Sequence, residues 1–296
     1  MEKETGLIKK HAVKFLTMRD ADYPELLLSI PDPPPYLYVK GTICKEDSNA
    51  LAVVGTRLPT QYGIAATEKI CRELAGCCGI TIVSGMARGI DSAAHRGAIA
   101  AKGKTIAVLG SGIDVIYPSE NKGLYKDIAS NGAVISEFPM GTPPLAANFP
   151  QRNRIISGLA MGVLVAEASL RSGSLITARL ALDYGREVFA FPGSITSSRS
   201  KGTNKLIKDG AKLVEDTRDI LEELRIPYNA GTEITSSERL SAEEEKIMNL
   251  LDEPCVIDSI IQKTGLPASK VSSILLNMEL KGLIQQQAGK QFMRRI

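Results

Sequence analysis

The sequence predicts an α/β fold: a Rossmann-like, doubly wound and mainly parallel sheet, followed by a small C-terminal winged-helix domain. Two observations carry this reading. Between residues 49 and 224, short apolar runs ending at Gly, Ser, Glu or Pro-Gly alternate with longer helical segments. Strands that are apolar along their whole length are those buried on both faces, as in a parallel sheet covered by helices. Beyond a polar stretch at 225–239, the pattern changes to three helical segments and two short strands about a Gly-containing turn, which is the pattern of a winged helix-turn-helix.

Taken in order, residues 1–47 are irregular, with Tyr23-Pro24 and a Pro-rich run from Pro31 to Pro35 leading into the short strand Tyr36 to Val39. Proline excludes helix interior there, so an arm with one short helix at Pro24 to Ser29 is expected, packed on the domain after it. Residues 48–224 form the Rossmann-like domain. Its strands are Leu51 to Val54, Thr81 to Val83, Ile106 to Leu109, Ala133 to Ile135, Val163 to Val165 and Val188 to Phe191. Helices are expected near Gly63 to Ala75, Asp91 to Ala101, Asn121 to Ser130, Ile155 to Ala160, Leu175 to Tyr184, Asn204 to Asp209 and Asp216 to Leu224. Residues 225–239 read as a linker. Residues 240–296 supply helices at Ala242 to Leu251, Val256 to Thr264 and Ala268 to Lys281, then a hairpin turning at Ala288 to Lys290.

In a parallel α/β sheet, ligands gather outside the C-terminal ends of the strands. That rule collects Gly55, Thr56 and Arg57 after the first of these strands, and Ser84, Gly85 and Arg88 after the second. Gly110, Ser111 and Gly112 follow the third, and Ser172, Gly173 and Ser174 lie beyond the fifth. Glycine permits close backbone approach, and hydroxyl and guanidinium groups donate to anions. The stretch Asn148 to Arg154 adds Phe149, Arg152, Asn153 and Arg154 immediately before the apolar run of a helix. A ring that can stack on a base, beside arginines that can fork onto phosphates, suits single-stranded nucleic acid. On its own, that window reads as readily as a helix start with surface arginines and a core phenylalanine.

Other features are assigned structural work. Asp91 reads as a helix N-cap and His95 as a satisfied buried or half-buried histidine. Glu137 and Glu167 read as partners of backbone or arginine, since no nucleophile accompanies them. No Gly-x-x-x-x-Gly-Lys-Ser/Thr loop occurs, no Gly-x-Gly-x-x-Gly follows the first of these strands, and no Gly-x-Ser-x-Gly or His-Glu-x-x-His is present. Five cysteines without a Cys-x-x-Cys pair, and only two histidines, favour reduced thiols, no metal and no cofactor. The absence of a long apolar run or an apolar signal core points to a soluble, cytoplasmic protein without a membrane span. A net charge of +3 is too small to indicate a nucleic-acid partner globally, so any such binding must be local.

The motifs together resemble one family. Val54-Gly55-Thr56-Arg57 with Tyr62-Gly63, Ser84 through Asp91 with Ala94-His95, and Ala107 through Gly112 with Tyr117-Pro118 occur in order. They are followed by Phe149-Pro150-Gln151-Arg152-Asn153-Arg154-Ile155-Ile156 and by Ser172 through Ala178 with Pro192-Gly193. This set is similar to that of the DNA-processing protein A (DprA, or Smf) family, densely so from Tyr23 to Leu224. The resemblance implies a bacterial single-stranded DNA-binding protein and homodimer that protects incoming DNA in natural transformation. It also implies help in loading the recombinase RecA, with no established catalytic activity. Residue by residue, it makes Arg57 a phosphate ligand and Phe149 the ring against which a base packs, with Arg152 and Arg154 completing an electropositive pocket. Some relatives carry a Lys three positions before that phenylalanine, where this chain has Ala146. Many relatives begin with a further small helical domain, for which the roughly twenty residues before Tyr23-Pro24 are too few.

From Leu240 onward, seven cations (Lys246, Lys263, Lys270, Lys281, Lys290, Arg294, Arg295) face seven acids (Glu243, Glu244, Glu245, Asp252, Glu253, Asp258, Glu279). Zero net charge is wrong for a duplex-binding winged helix and suggests protein contacts or a secondary role in DNA binding. Two rival readings remain. A Rossmann enzyme cleaving a nucleotide's N-glycosidic bond would need an Arg, a Glu and a Pro-Gly-Gly-x-Gly-Thr loop, a pattern that Arg171 to Thr177 lacks. A winged-helix transcriptional regulator would need a strongly basic recognition helix, and Ala268 to Lys281 carries a single net positive charge.

Overall fold

Why strands so short are apolar throughout becomes plain from the sheet they enter. The computed structural model describes residues 2–227, 241–280, 283–287 and 291–294. In chain order the first unit contains α1 (Glu2–Lys10), β1 (Lys14–Thr17), α2 (Glu25–Leu28), β2 (Tyr36–Gly41), β3 (Ala50–Val54), α3 (Gln61–Cys77), β4 (Thr81–Ser84), α4 (Ile90–Ala100) and β5 (Thr105–Val108). It continues with α5 (Lys122–Asn131), β6 (Gly132–Ser136), α6 (Asn148–Gly158), β7 (Gly162–Val165), α7 (Ser174–Asp183), β8 (Glu187–Ala190), α8 (Lys201–Lys208), β9 (Lys212–Leu213) and α9 (Thr217–Glu223). The strands form one sheet in the order β1-β2-β6-β5-β4-β3-β7-β8-β9. From β6 to β9 all neighbours are parallel, whereas β1 and β2 join antiparallel at the β6 edge.

Alternation along β3 explains its uninterrupted apolarity. Ala50, Ala52 and Val54 enter the core on one face, shared with Ile155, Ile156 and Leu159 of the α6 region, while Leu51 and Val53 enter the other with Ile70 and Leu74 of α3. Both faces are dry, so each large side chain contributes about 1.5–3 kcal/mol of burial. Winding runs from β3 outward to β6 and then returns to β7 on the other side of β3. The reversal lies between β3 and β7, and a crevice opens at such a point beyond the strand ends.

Three features differ from the sequence expectation. The arm at 1–47 contains an extra helix, α1, and an extra strand, β1, that pairs with β2 through Phe15 opposite Tyr38. Its sequence has no strong alternation, and the sheet edge supplies the pairing partner that local pattern cannot show. The short β9, at the opposite edge, was also not expected. The helix expected at Ile155 begins at Asn148, with Pro150 inside it. Pro150 is third in the helix, where a missing N–H costs no intrahelical bond.

Residues 234–296 form a second unit. It holds α10 (Ala242–Met248), β10 (Cys255–Val256), α11 (Ile257–Thr264), α12 (Ala268–Leu280), β11 (Ile284–Gln287) and β12 (Gln291–Arg294), the strands pairing antiparallel as β10-β12-β11. Ile247, Leu251, Ile260, Val271, Leu275, Met278, Ile284 and Phe292 close its own core. Three helices and a hairpin make a winged helix. Among its described cations, Lys270 pairs with Glu243 and Arg294 lies 3.7 Å from Asp252. Most of the expected linker and the hairpin turn at 288–290 lie outside the described residues.

Candidate nucleic-acid interface

The loop after β3 is built to hold Arg57 outward. Gly55 lacks a Cβ that would meet the Ile90 side chain at 2.6 Å, so α4 can close on the strand end. The Thr56 N–H donates to the Glu167 carbonyl at 2.8 Å, and the Thr56 hydroxyl accepts from the Leu58 N–H at 3.2 Å. Buried Glu167, just past β7, accepts from the Thr60 N–H at 2.8 Å and from the Thr60 hydroxyl at 2.5 Å. Thr60 in turn caps α3 by accepting from the Gly63 N–H. A Cβ on Gly63 would lie 2.6 Å from the Glu167 carboxyl, so Gly63 makes room for it. Glu167 therefore ties the Arg57 loop across the β3–β7 reversal and leaves the exposed Arg57 free to reach a ligand. The sequence reading of Glu167 as structural agrees with this geometry.

Phe149, second residue of α6, is half-buried where these loops converge. The Arg57 guanidinium carbon sits 5.3 Å from its ring centroid and that of Arg152 5.9 Å away. Tyr117, which the sequence reading did not place among the site residues, lies 5.7 Å from Phe149, the planes at 47°. Gly110 admits the ring, since a Cβ there would meet it at 2.9 Å, and its carbonyl accepts from the Asn148 side chain at 3.0 Å. A small cleft results, lined by Arg57, Gly85, Ala87, Arg88, Tyr117, Pro118 and Phe149, with no carboxylate in its lining. The exposed acid beside this lining, Glu120, is bonded to Arg88 through Nε and, at 3.0 Å, through Nη2. Cation–π contact between Arg57 and Phe149 contributes about 0.5–1 kcal/mol at an exposed site and holds the guanidinium over the ring.

The remaining residues separate into those at the cleft and those beneath it. Arg152 is expected on the pocket surface, but it is only 4% exposed. Its Nη1 donates to the carbonyls of Gly85, at 2.8 Å, and Val108. A Cβ on Gly85 would run into the guanidinium, so this glycine is required by Arg152 rather than by a ligand. Desolvation pulls the Arg152 pKa down to about 10, with buried Asp91 opposing. Asp91 is not the N-cap of α4, a position that Gly89 takes at φ +77°. Its Oδ2 instead accepts from the N–H groups of Gly85 at 3.2 Å and Ala87 at 3.4 Å. Burial pushes the Asp91 pKa up, and Arg152 pulls it back. The two opposite charges meet on the Gly85 backbone, Asp91 at its N–H and Arg152 at its carbonyl, and so support the cleft floor.

Arg154 also departs from expectation. It lies about 200° around α6 from Arg152, and its guanidinium bonds Glu137 at 2.6 Å and Asp32 at 3.2 Å. With a side chain 12% exposed, it fastens the Pro-rich arm to the β6 end rather than facing Phe149. The reading of Glu137 as an arginine partner agrees. Ser84 donates to the Val53 carbonyl and Ser111 to the Val115 carbonyl, both buried. The Gly112 N–H donates to the Thr142 carbonyl, and a Cβ there would meet the Pro139 carbonyl at 2.6 Å. Asn153 is half-buried, its carbonyl accepting from Ser157. Ser172 and Ser174 share a hydroxyl bond of 2.7 Å about Gly173 at the start of α7, on the same sheet edge but not lining the cleft. His95 is fully buried with Nδ1 2.7 Å from the Thr105 hydroxyl, while Nε2 has no partner among the described residues. Among the described residues no group of His, Cys, Asp and Glu could hold a metal ion.

What assembles is an aromatic and cationic cleft whose floor is fixed by the bonds of buried Arg152 to the Gly85 and Val108 carbonyls and of buried Asp91 to the Gly85 and Ala87 N–H groups, with no free carboxylate in its lining. Such a surface can hold a phosphate against Arg57 and a flat ring against Phe149 or Tyr117. The only sequence signal for Tyr117 was its place in the family motif, because its approach to Phe149 depends on the path of the chain after Gly112.

Comparison with known proteins gives a consistent result. The family described as DNA recombination-mediator protein A matches residues 14–225, and the DprA winged helix domain matches residues 233–290. Protein Smf of Escherichia coli (strain K12) is 44% identical over 271 residues, 88% of this chain and 72% of that one. DNA processing protein DprA of Streptococcus pneumoniae is 46% identical over 218 residues, 73% of this chain and 77% of that one. The X-ray structure of DNA processing protein A from Streptococcus pneumoniae superposes with a TM-score of 0.69 at 44% identity, covering 74% of this chain and 77% of that one. The structure of DNA processing protein A from Helicobacter pylori, described for its single-stranded DNA binding mode, gives 0.64 at 33% identity over 73% and 97%.

Proposed function

The chain belongs to the DNA recombination-mediator protein A family, and from that premise we propose that it binds single-stranded DNA in the cleft between Arg57, Tyr117 and Phe149. One observation carries the assignment of the site: an exposed guanidinium held 5.3 Å over a half-buried phenylalanine, on the ligand edge of a parallel sheet, in a lining without carboxylates. Arg57 takes a phosphate, Phe149 packs against a base, and Arg152 contributes its charge from below the floor while positioning Phe149. Of the expected ligands, Arg88 reaches the cleft already paired with Glu120, and the serines at 84 and 111 hold loops in place.

In this reading the protein is a cytoplasmic, homodimeric mediator that protects incoming single strands and helps load RecA in transformation and recombination, and it performs no catalysis. The family assignment supports the DNA-processing part. RecA loading and dimerisation are extensions of the family resemblance. Glu167 and Glu137 are committed to Thr60 and Arg154, which supports a binder over a nucleotide hydrolase. No described helix is long and apolar enough to cross a membrane.

The test is salt-dependent binding of oligo-dT to wild type, Arg57→Ala and Phe149→Ala. Removing Arg57 is expected to flatten the slope of log K against log salt by about 0.7, one single-strand phosphate contact. Removing Phe149 is expected to cost about 1–3 kcal/mol with the slope little changed. Unchanged binding by both variants would refute the site. Release of base from nucleoside monophosphates would instead support the hydrolase.

A further inference from the structure

A second cavity lies outside this cleft. About 470 Å³ opens between α5 and the turn from α1 to β1, lined by Ala12, Lys40, Gly41, Ile116, Tyr125, Lys126, Ala129 and Ser130. Its shape has local causes. Gly41 adopts φ +100° with the Gly132 and Ala129 carbonyls against the place a Cβ would take, and Ala12 adopts φ +50°. Tyr125 forms the floor, its hydroxyl donating to the Ile113 carbonyl at 2.8 Å. Two lysines line the groove and no carboxylate does. Lys40 donates once, to the His11 carbonyl at 3.1 Å, so its ammonium retains further donors. Lys126 is exposed, and Lys122 lies one turn earlier on α5. Glu4 of α1 is occupied by the Tyr38 hydroxyl and the Met140 N–H. The C-terminal carbonyls of α5 oppose an anion by about 0.3–1 kcal/mol, a smaller effect than two ammonium groups at contact distance.

Consecutive residues of one loop line the groove and the cleft. Ile116 lines the groove and the next residue, Tyr117, lines the cleft. We propose that a DNA strand leaving the Phe149 cleft passes Tyr117 and continues into this groove, where Lys40 and Lys126 contact its phosphates. The inference rests on the cleft being the primary single-strand site and adds a second, sequence-independent stretch to it. A strand held by the cleft alone would meet only the arginines at the β3 and β4 ends. One that continues gains two phosphate contacts, at Lys40 of β2 and Lys126 of α5.

The experiment compares oligo-dT of about 4 and about 16 nucleotides, the range over which single-strand sites extend, on wild type and on the double variant Lys40→Gln, Lys126→Gln. A second double variant, Lys69→Gln, Lys208→Gln, removes the same charge from positions elsewhere. The groove variant is expected to bind the short oligomer as wild type does and the long one more weakly. Its salt slope for the long oligomer should fall by about 1.4, two contacts at about 0.7 each. The control variant should match wild type with both. Equal weakening for both lengths, an effect reproduced by the control, or no effect at either length would overturn the groove while leaving the cleft standing. Failure of wild type to bind either oligomer would overturn the cleft assignment and the groove with it. Weakened binding of free AMP with unchanged long-oligomer binding would identify the groove as a nucleotide site and refute the strand path.

Discussion

Replacing Arg152 by Met separates support of the site from contact with DNA. Arg152 and Arg57 flank the same ring, yet one is buried and bonded to two strand-end carbonyls while the other is exposed. Arg152→Met removes the cation facing buried Asp91 and leaves the Gly85 and Val108 carbonyls without that donor. Leaving a buried charge without the opposing charge near it costs about 3–5 kcal/mol. In a domain of this size each kcal/mol lowers Tm by about 2–4 °C, so a drop of about 6–20 °C is expected by circular dichroism or calorimetry. Arg57→Gln, at an exposed position, should stay within about 0.5 kcal/mol of wild type. The double variant Arg152→Met, Asp91→Asn should recover part of the loss, because it strands no charge while Asn keeps an acceptor for Gly85 and Ala87. A Tm for Arg152→Met within about 2 °C of wild type, with no further change on adding Asp91→Asn, would refute the supporting role.

Three further outcomes rest on the same geometry. Arg154→Ala leaves the half-buried Glu137 without its guanidinium partner and should cost about 1.5–3 kcal/mol in urea unfolding, while the salt slope for oligo-dT stays at the wild-type value; a reduced slope would place Arg154 at the DNA. Gly110→Ala drives a methyl against the Phe149 ring at 2.9 Å, so it should destabilise wild type more than it destabilises a Phe149→Leu background, with a coupling of about 0.5–3 kcal/mol in the double-mutant cycle; strict additivity would show that the ring is not held there. Burial holds the His95 pKa down to about 3 from 6.5. The unfolded chain therefore binds the extra proton between these values, and stability is lost as pH falls through that window, by about 1.4 kcal/mol per pH unit from this group. His95→Gln should remove that component when urea midpoints are compared between pH 6.5 and pH 4, and identical pH profiles for the two proteins would contradict a buried neutral histidine.

The lesson for the cleft is that residue type was legible and depth was not. Arg57, Arg152 and Arg154 look alike in a sequence, and all three sit at or near strand ends. Two positions along a helix turn the chain by about 200°, which sends Arg152 under the sheet edge and Arg154 to Glu137. Whether a guanidinium ends in water or against a carbonyl depends on neighbours distant in sequence, as with Gly85, 67 residues before Arg152. The place of Tyr117 in the cleft lining was missed for the same reason, and so was the pairing of β1 with β2, where an edge partner overrides a weak local pattern.

The sequence by itself determined the parallel sheet, the ligand edge and the winged helix, because burial on both faces forces continuous apolar strands and because strand-end glycines mark where helices and backbone approach closely. It also determined that Arg57 and Phe149 belong to one edge of that sheet. Only the tertiary structure decided that these two meet at 5.3 Å, that Glu167 holds the loop which brings them together, and that Arg152 lies beneath them as support. Local pattern fixes which face or end of an element a residue occupies, whereas contact across the β3–β7 reversal depends on how elements separated by about a hundred residues pack.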